Sequence, residues 1–446
     1  MMTDGELVPG TTKKSPQRRW KILIPAIITI YVIAYIDRVN IGFGMGGIRE
    51  SLGMDAGQAG FAAGIFFIGY LILQVPGGYL AQKYSARKVV FVLMIGWGLC
   101  AVLAGFVQSY SQLCVARFVL GVFEGGVQPA LMVLISRWFS KEERGRAFSL
   151  FIMHNPIATI ITGPFAGLIL MYGTWRELFI IQGLLPLIIG VGLWWYLAAD
   201  NPEDARWIDE AEKQEIQHLQ VLDGNVAEVE SDWRAAVRNP YVWYLAILGM
   251  LVWLGFYGLQ IWLPTLLKQS FTGSLTVGFV SAIPPICAAI AIWYNGRAAD
   301  RDKQYPLRVA IPLLIGGVVL ALSAFVTSEQ RWLVVVMLAV ATACQLSFFS
   351  PYWTINSIML PPAAIGAGYG IINGVGNLGG MLGPYLGGWL QDVTNGNLVA
   401  STLFFGSAVI LAGIMALLLT RPVRRQVHAD QEHREKLEQE IRGGNK

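Results

Sequence analysis

The chain has 446 residues, of which 54% are hydrophobic and only 14% are charged, and its formal net charge is +4. A soluble domain of this length carries much more charge, so the composition excludes an ordinary soluble protein and indicates a membrane protein with many spans. The basic residues stand at the ends of apolar runs and form no continuous stripe. This distribution argues against a nucleic-acid-binding protein.

About twelve apolar runs follow one another along the chain, each near the ~20 residues that a helix needs to cross a membrane. The first six are predicted to begin near residues 22, 58, 88, 112, 146 and 177. The second six are predicted to begin near residues 241, 275, 308, 332, 365 and 399. The fold class expected is therefore an all-α membrane protein with twelve transmembrane helices, numbered here as spans 1 to 12.

The spans fall into two sets of six, separated by the longest polar segment of the chain. The expected organisation is a six-helix bundle at 1–199, a cytoplasmic linker at 200–238, a second six-helix bundle at 239–425 and a cytoplasmic tail at 426–446. Lysines and arginines precede span 1 and recur at the even-numbered turns, whereas the odd-numbered loops are nearly bare. The positive-inside rule therefore places both termini in the cytoplasm.

The linker begins DNPEDARWIDEAEKQEIQHLQ, which predicts a short amphipathic helix. Its acidic run is expected to be a solvated face, as most charge runs are. The four cysteines stand singly in apolar runs without metal-ligand spacing, so neither a metal site, a disulfide framework nor a cofactor is expected. No pairing of a nucleophile with a base is found in the spans, and an enzyme is not expected.

Four ionisable residues lie inside predicted spans: Asp37 and Arg38 in span 1, and Arg117 and Glu124 in span 4. A charge at the bilayer centre costs about 2.5 to 3.5 kcal/mol on insertion scales, so such residues usually mark a functional site. The planar fork of Arg38 suits a substrate carboxylate. Glu124 is the preferred proton carrier, while Arg117, which shares a helix face with Gly121 and Glu124, is expected to hold Asp37 and Glu124 as a static partner.

Neutral polar residues on other spans could complete a pocket, although they could equally serve as interhelical hydrogen-bonding groups. The candidates for substrate binding are Tyr70 in span 2, His154 and Asn155 in span 5, Ser350 and Trp353 in span 10, and Asn373 in span 11. For His154, a satisfied core histidine is as reasonable an interpretation as a functional one.

Two loops form a weak internal repeat: GYLAQKYSARK at 78–88 and GRAADRDKQYPLR at 296–308. Repeated halves are common in secondary transporters, which place a central site between two bundles. The structural residues expected in these loops are Gly78, Lys83, Arg87, Gly296, Asp300 and Arg301.

The arrangement of six plus six spans, with such a loop in each half, resembles the major facilitator superfamily. Five segments are similar to its anion:cation symporter branch: IDRVN at 36–40, QVPGGYL at 74–80, ARFVLGVFEGG at 116–126, YGLQIWLP at 257–264 and NGVGNLGG at 373–380. The resemblance implies uptake of a small organic anion with protons by alternating access, in a bacterial inner membrane and as a monomer. It also implies that Arg38 lines the substrate site and that Asp37 belongs to the proton pathway.

The first loop departs from the family pattern, since Gln82 stands where an acid is expected and Ser85 where a glycine is usual. This departure predicts a weaker interhelical charge lock near Lys83 and Arg87. A sugar acid or hydroxy acid is the expected substrate, with an aromatic acid as an alternative. A sugar-phosphate exchanger would need a second interior arginine in the second half, and a membrane sensor would need an output domain; the sequence offers neither.

Overall fold

The structure is a computed structural model that describes residues 17–222, 233–361 and 365–427. Within these residues the chain is helical and forms twelve spans, as the apolar runs predict. Each predicted start lies within five residues of the observed one. The tail from residue 428 onward lies outside the described residues.

The first half contains spans 1 to 6. Their helices are Arg18–Leu52 (span 1), Ala56–Leu80 (span 2), Ala86–Ala104 (span 3), Tyr110–Gly125 with Val127–Trp138 (span 4), Lys141–Ile152 with His154–Tyr172 (span 5), and Trp175–Leu185 with Val191–Leu197 (span 6). Single π turns at Ala81–Ser85 and Pro186–Gly190 connect spans 2 and 3 and the two parts of span 6.

The linker and the second half follow. The linker contains a 3-10 turn at Pro202–Asp204, the linker helix Glu210–Leu222 and the short helix Trp233–Arg238. The helices of the second half are Pro240–Lys268 (span 7), Ser274–Ser281 with Ile283–Asp302 (span 8), Tyr305–Ser323 (span 9), Arg331–Ser347 with Phe349–Met359 (span 10), Ile365–Val393 (span 11) and Leu398–Leu418 (span 12), and a 3-10 turn at Ser328–Gln330 precedes span 10.

Ten described helical stretches are long and apolar enough to cross a membrane. One of them, Ala56–Ala104, contains spans 2 and 3 together. Span 11 is the remaining helix, and its many glycines lower its mean hydropathy. The twelve-span fold class is thus confirmed for the described residues.

Besides the π turn in span 6, four described spans are interrupted near their middle, and each of these four breaks has a proline two or three residues further on. The breaks at Gly126, Met153 and Phe348 precede Pro129, Pro156 and Pro351, and the break at Ala282 precedes Pro284. Proline lacks the N–H that an α-helix needs and clashes with the carbonyl of the preceding turn, so the helix bends there. Three of these breaks lie beside candidate site residues.

The two halves meet at one face of the molecule. Because spans alternate in direction, residues 52 to 56, 172 to 175, 268 to 274 and 393 to 398 lie at the face opposite to the chain ends, called here the opposite face; the other is the terminal face. Span 2 packs on span 11, span 5 on span 8, and span 1 on span 7. A Cβ added at Gly64 would lie 2.5 Å from the main-chain oxygen of Met381, so glycine permits the close approach of spans 2 and 11.

A carboxylate also joins the halves at the opposite face. Asp392, at the end of span 11, accepts hydrogen bonds from the main-chain N–H groups of Ala56 and Gly57 at 2.9 and 2.6 Å. These N–H groups belong to the first turn of span 2, where they have no partner within the helix. The halves are therefore closed together at the opposite face.

The linker helix packs against the first half at the terminal face. Glu203, Asp204 and Glu210 are exposed, as expected of a solvated acidic run, and Glu212 departs from that expectation. Glu212 is fully buried and accepts the main-chain N–H groups of Arg18 and Arg19 at 2.8 and 3.1 Å. The buried guanidinium of Arg19 also pairs with Glu143 of span 5 at 2.9 Å. The acidic residue is buried because it caps span 1 and neutralises an arginine, two needs that the linker sequence does not reveal by itself.

Candidate functional site

Arg38 and Glu124 form a buried ion pair between spans 1 and 4. The Arg38 Nη2 atom lies 3.1 Å from Glu124 Oε2, and both side chains are almost wholly inaccessible. Spans 2 and 4 approach closely at Gly121, where an added Cβ would collide with the main-chain oxygen of Phe66. The sequence identified both charges, and the structure brings them into direct contact.

Arg117 is placed differently from the expectation that it holds two carboxylates. Its Nη1 donates to the main-chain carbonyl of Asp37 at 3.0 Å, and its Nη2 donates to that of Arg38 at 3.3 Å. A carbonyl oxygen has two lone pairs, so it can accept from Arg117 in addition to its helical bond. Arg117 therefore fixes the main chain of span 1 beside the ion pair.

Asp37 is buried, and neither of its carboxylate oxygens has a hydrogen-bond partner among the described residues. One turn further along span 1, the Asn40 side chain donates to that of Gln182 in span 6, and both amides are buried. The remaining polar atoms of this pair, Asn40 Oδ1 and Gln182 Nε2, are also without partners in the described structure. An unpaired polar atom in the interior is costly. A bound proton, water molecule or ligand would remove that cost in this region.

Aromatic rings surround the guanidinium of Arg38. Its central carbon lies 5.2 Å from the ring centres of Tyr35 and Phe66 and 4.8 Å from that of Tyr70. Tyr70 is one of the predicted site residues, and the structure places it directly beside the predicted anion anchor. Rings at this distance stabilise a cation when water is excluded.

Two residues of this region were not singled out from the sequence, namely Tyr31 and Gln128. The Tyr31 and Tyr70 hydroxyls lie 3.1 Å apart, and they donate to Gln128 Oε1 at 3.1 and 3.3 Å. Helical spacing could have identified both residues: Tyr31 precedes Arg38 by seven positions, and Gln128 follows Glu124 by four. The break at Gly126 obscured the second relation.

The two span 5 candidates lie close to the same rings. His154 Nδ1 is 2.7 Å from the main-chain oxygen of Phe151, and its ring centre is 4.2 Å from that of Tyr31. Asn155 donates from Nδ2 to the Tyr35 hydroxyl at 3.2 Å. Both side chains directly follow the break at Met153 and contact span 1.

The candidates in the second half form a separate group. The Trp353 ring packs on that of Tyr369 in span 11, with centres 5.2 Å apart, and Ser350 lies beside Gly296 of span 8. Asn373 accepts at its main-chain oxygen from Asn377 Nδ2 at 2.9 Å. In the described part of the chain, no hydrogen bond or ion pair joins Ser350, Trp353 or Asn373 to Arg38.

The first repeat loop obtains its carboxylate from another part of the chain. Asp200, at the start of the linker, accepts from the Ser85 hydroxyl and from the Arg87 main-chain N–H, and it pairs with Arg137 of span 4 at 3.3 Å. Ser85 also caps span 3 by accepting the N–H of Lys88 at 3.0 Å. The sequence predicts a weak interhelical charge lock here, because Gln82 stands in place of an acid. In the structure, Asp200 supplies that acid.

The remaining loop residues are mainly at the surface. Gly78 lies against Pro129 of span 4, and the Lys83 ammonium lies over the rings of Tyr79 and Tyr84. In the second loop, Asp300 and Arg301 are exposed.

The two packed six-helix halves, with a buried ion pair inside the first half, are the architecture of a membrane transporter. Residues 27–384 match the family model of the Major Facilitator Superfamily. The chain belongs to this superfamily.

Proteins related in sequence agree with this assignment. The chain is 34% identical over 405 residues to a quinolone resistance transporter of Acinetobacter baumannii, covering 88% of this chain and 92% of the relative. It is 31% identical over 406 residues to a putative tartrate transporter of Agrobacterium vitis, with 90% of each chain covered. The predicted superfamily and its anion:cation symporter branch are thereby confirmed.

The fold is also similar to a crystal structure of a bacterial homologue of the human lysosomal transporter Spinster, described as inward-facing and unoccupied. The TM-score is 0.75 at 18% identity, and the match covers 92% of this chain and 99% of the other.

Proposed function

We propose that the protein takes up a small organic anion together with protons, and that the anion is a sugar acid or hydroxy acid. The observation that carries the proposal is the buried ion pair between Arg38 and Glu124. Arg38 offers a fork that matches a carboxylate, but in this state the carboxylate that occupies it belongs to the protein.

A substrate carboxylate and Glu124 then compete for one guanidinium. When Glu124 binds a proton it loses its charge, and Arg38 becomes available to the substrate. Losing that proton restores the ion pair and displaces the anion. Proton and anion therefore bind and leave together, which is symport. Arg117 keeps span 1 in place while the partner of Arg38 changes.

Asp37 is the second proposed proton site. Its carboxylate is buried without a hydrogen-bond donor among the described residues. A bare charge there would be strongly disfavoured, so we assign a neutral, protonated carboxyl to Asp37 in this state.

The closure of one face supports transport by alternating access. If the terminal face is cytoplasmic, as the positive-inside rule predicts, the contacts of Asp392 with span 2 close the periplasmic side. The structure then represents an inward-facing protein in a bacterial inner membrane. Each chain carries its own site, so a monomer is expected to transport.

A second candidate is an aromatic carboxylate. A connected series of rings runs from Phe67 in span 2 through Tyr257 and Trp253 in span 7 to Phe349 in span 10, with centres 4.5, 5.6 and 6.3 Å apart. Such rings could stack on an aromatic ligand. The similarity to a quinolone resistance transporter gives this candidate further weight.

Transport in proteoliposomes tests the proposal. The purified chain is reconstituted and supplied with labelled acids: tartrate, galactonate, succinate and benzoate. We expect accumulation of a hydroxylated acid when the outside is acidic, and none after the proton gradient is dissipated. Accumulation that is the same with and without the proton gradient would exclude proton symport. Preferential uptake of benzoate would favour the aromatic candidate.

A further inference from the structure

The cluster of Tyr31, Tyr70 and Gln128 is not explained by the binding of a carboxylate and a proton. It joins spans 1, 2 and 4 next to Arg38, and it contains no charge. Its three polar groups are mutually within 3.1 to 3.3 Å. A neutral cluster placed beside an anion anchor suggests recognition of the part of the substrate that is not ionised.

The hydroxyl protons fix the orientation of the Gln128 amide. Two hydroxyls have two protons, and the three contacts cannot all be hydrogen bonds at once. If both protons are used within the cluster, at least one hydroxyl must donate to Gln128 Oε1, whichever way the pair of tyrosines is arranged. The amide oxygen therefore faces the tyrosines, and the NH₂ group points away from them.

The NH₂ group of Gln128 is the open end of the cluster. Tyr31 and Tyr70 are each only 2% exposed, and Arg38 is 6% exposed, whereas Gln128 is partly exposed. In the described residues, no hydrogen bond is formed by Gln128 Nε2. Because Gly126 interrupts span 4, Gln128 lies in the first turn of a new helix, Val127–Trp138, on the terminal-face side of Glu124. It is therefore further than Glu124 from the closed opposite face.

We propose that Gln128 is a substrate-selecting residue, whose amide NH₂ donates to a hydroxyl oxygen of an acid whose carboxylate is bound by Arg38. Tyr31 and Tyr70 are positioning residues that hold the amide in this orientation. Tyr70 contacts both groups, because its ring lies 4.8 Å from the Arg38 guanidinium and its hydroxyl lies 3.3 Å from Gln128 Oε1. This inference rests on the proposed function and specifies its substrate class further.

Such a donor would allow the site to distinguish hydroxylated acids from acids that lack the hydroxyl group. A pocket that hydrogen-bonds a hydroxyl group disfavours an analogue lacking it, because a buried donor is then left without an acceptor. An oriented amide achieves this without adding charge to the site. Arg38 would bind the carboxylate of either kind of acid, and Gln128 would select the acids that carry a hydroxyl group.

Equilibrium binding to the purified full chain tests the inference, with tartrate, malate and succinate as probes. These dicarboxylates share a four-carbon skeleton and carry two, one and no hydroxyl groups. We expect the wild-type protein to bind them in that order. Gln128→Leu should weaken tartrate binding about tenfold, the equivalent of one lost hydrogen bond, and leave succinate binding within about twofold.

Two further variants separate selection from folding. Gln112→Leu makes the same change at the exposed start of span 4 and should alter neither affinity. Tyr31→Phe removes one hydroxyl that orients the amide and should weaken tartrate binding less than Gln128→Leu, again without affecting succinate. Retained succinate binding shows that the site is folded.

Three results would overturn the inference. One is a wild-type protein that binds tartrate no better than succinate, even if it transports other acids. Another is a Gln128→Leu protein whose affinities for both acids are unchanged, and the third is an equal loss of both. If the wild type binds and accumulates no acid at all, the proposed function itself has failed.

Discussion

The Arg38 guanidinium lies 3.1 Å from the Glu124 carboxylate, so the proposed anion anchor is occupied by the protein's own acid. Neither residue is accessible enough for water to replace the partner at low cost. Removing one charge from such a pair leaves the other charge buried without compensation, so binding of a new partner of opposite charge is favoured. This property makes the pair suitable for coupling a proton to an anion.

Glu124→Gln should uncouple the two cargoes. The amide cannot release a proton or form the ion pair, so Arg38 remains available to substrate in every state. We expect loss of accumulation driven by a proton gradient, while exchange of labelled for unlabelled acid continues. Glu50→Gln, at the exposed end of span 1, is the control. A Glu124→Gln protein that still concentrates acid against its gradient would assign the coupling proton elsewhere.

Arg38→Lys should abolish most substrate binding, although the charge is kept. An ammonium is a compact point charge and cannot donate two parallel hydrogen bonds to a carboxylate. We expect affinity to fall at least tenfold in equilibrium binding, with a thermal unfolding temperature close to that of the wild type. Unchanged affinity would show that the carboxylate binds to a different group.

Asp392→Ala should shift the protein away from the state seen here. The substitution removes the cap that spans 11 and 2 share across the two halves, a contact that exists only when the opposite face is closed. A helix cap contributes about 1 kcal/mol, which corresponds to roughly a fivefold change in population. Spin labels at Gln108 and Gly396 should report a larger fraction of long distances across that face.

Asp55→Ala is the matched control for this experiment. Asp55 caps the same first turn of span 2 by accepting the Gln58 N–H at 2.6 Å, but it lies on span 2's own chain segment and does not cross between the halves. Its loss should lower stability in both states alike and leave the distance distribution unchanged. Equal shifts for Asp55→Ala and Asp392→Ala would mean that the Asp392 contact has no role in closure.

Glu212→Ala should destabilise the first half at the terminal face. The substitution leaves the buried Arg19 with less compensation and uncovers two N–H groups at the start of span 1. Breaking a buried pair of this kind costs about 3 kcal/mol. We expect a lower midpoint in thermal unfolding of the purified protein. Glu215→Ala is the comparison, because Glu215 is 37% exposed and lies 3.6 Å from Arg19, so its loss should have a smaller effect. Equal effects would contradict the capping role.

The sequence by itself determined the twelve spans and the charges that matter. A run of about 20 apolar residues can cross a membrane only as a helix, because the backbone must satisfy its own hydrogen bonds there. The same solvent makes Asp37, Arg38, Arg117 and Glu124 conspicuous, since each must be stabilised or used. These properties are local, and no partner needs to be known to recognise them.

The tertiary structure alone decided which group faces which. Arg117 bonds main-chain carbonyls and leaves Glu124 to Arg38; Asp200 brings a carboxylate to Ser85 from more than 100 residues away. Glu212 is buried because it caps the start of span 1, and Gln128, just after the break in span 4, accepts a hydrogen bond from Tyr31 of span 1. Pairings of this kind depend on how helices distant in sequence pack, and helical periodicity within one span cannot supply that information.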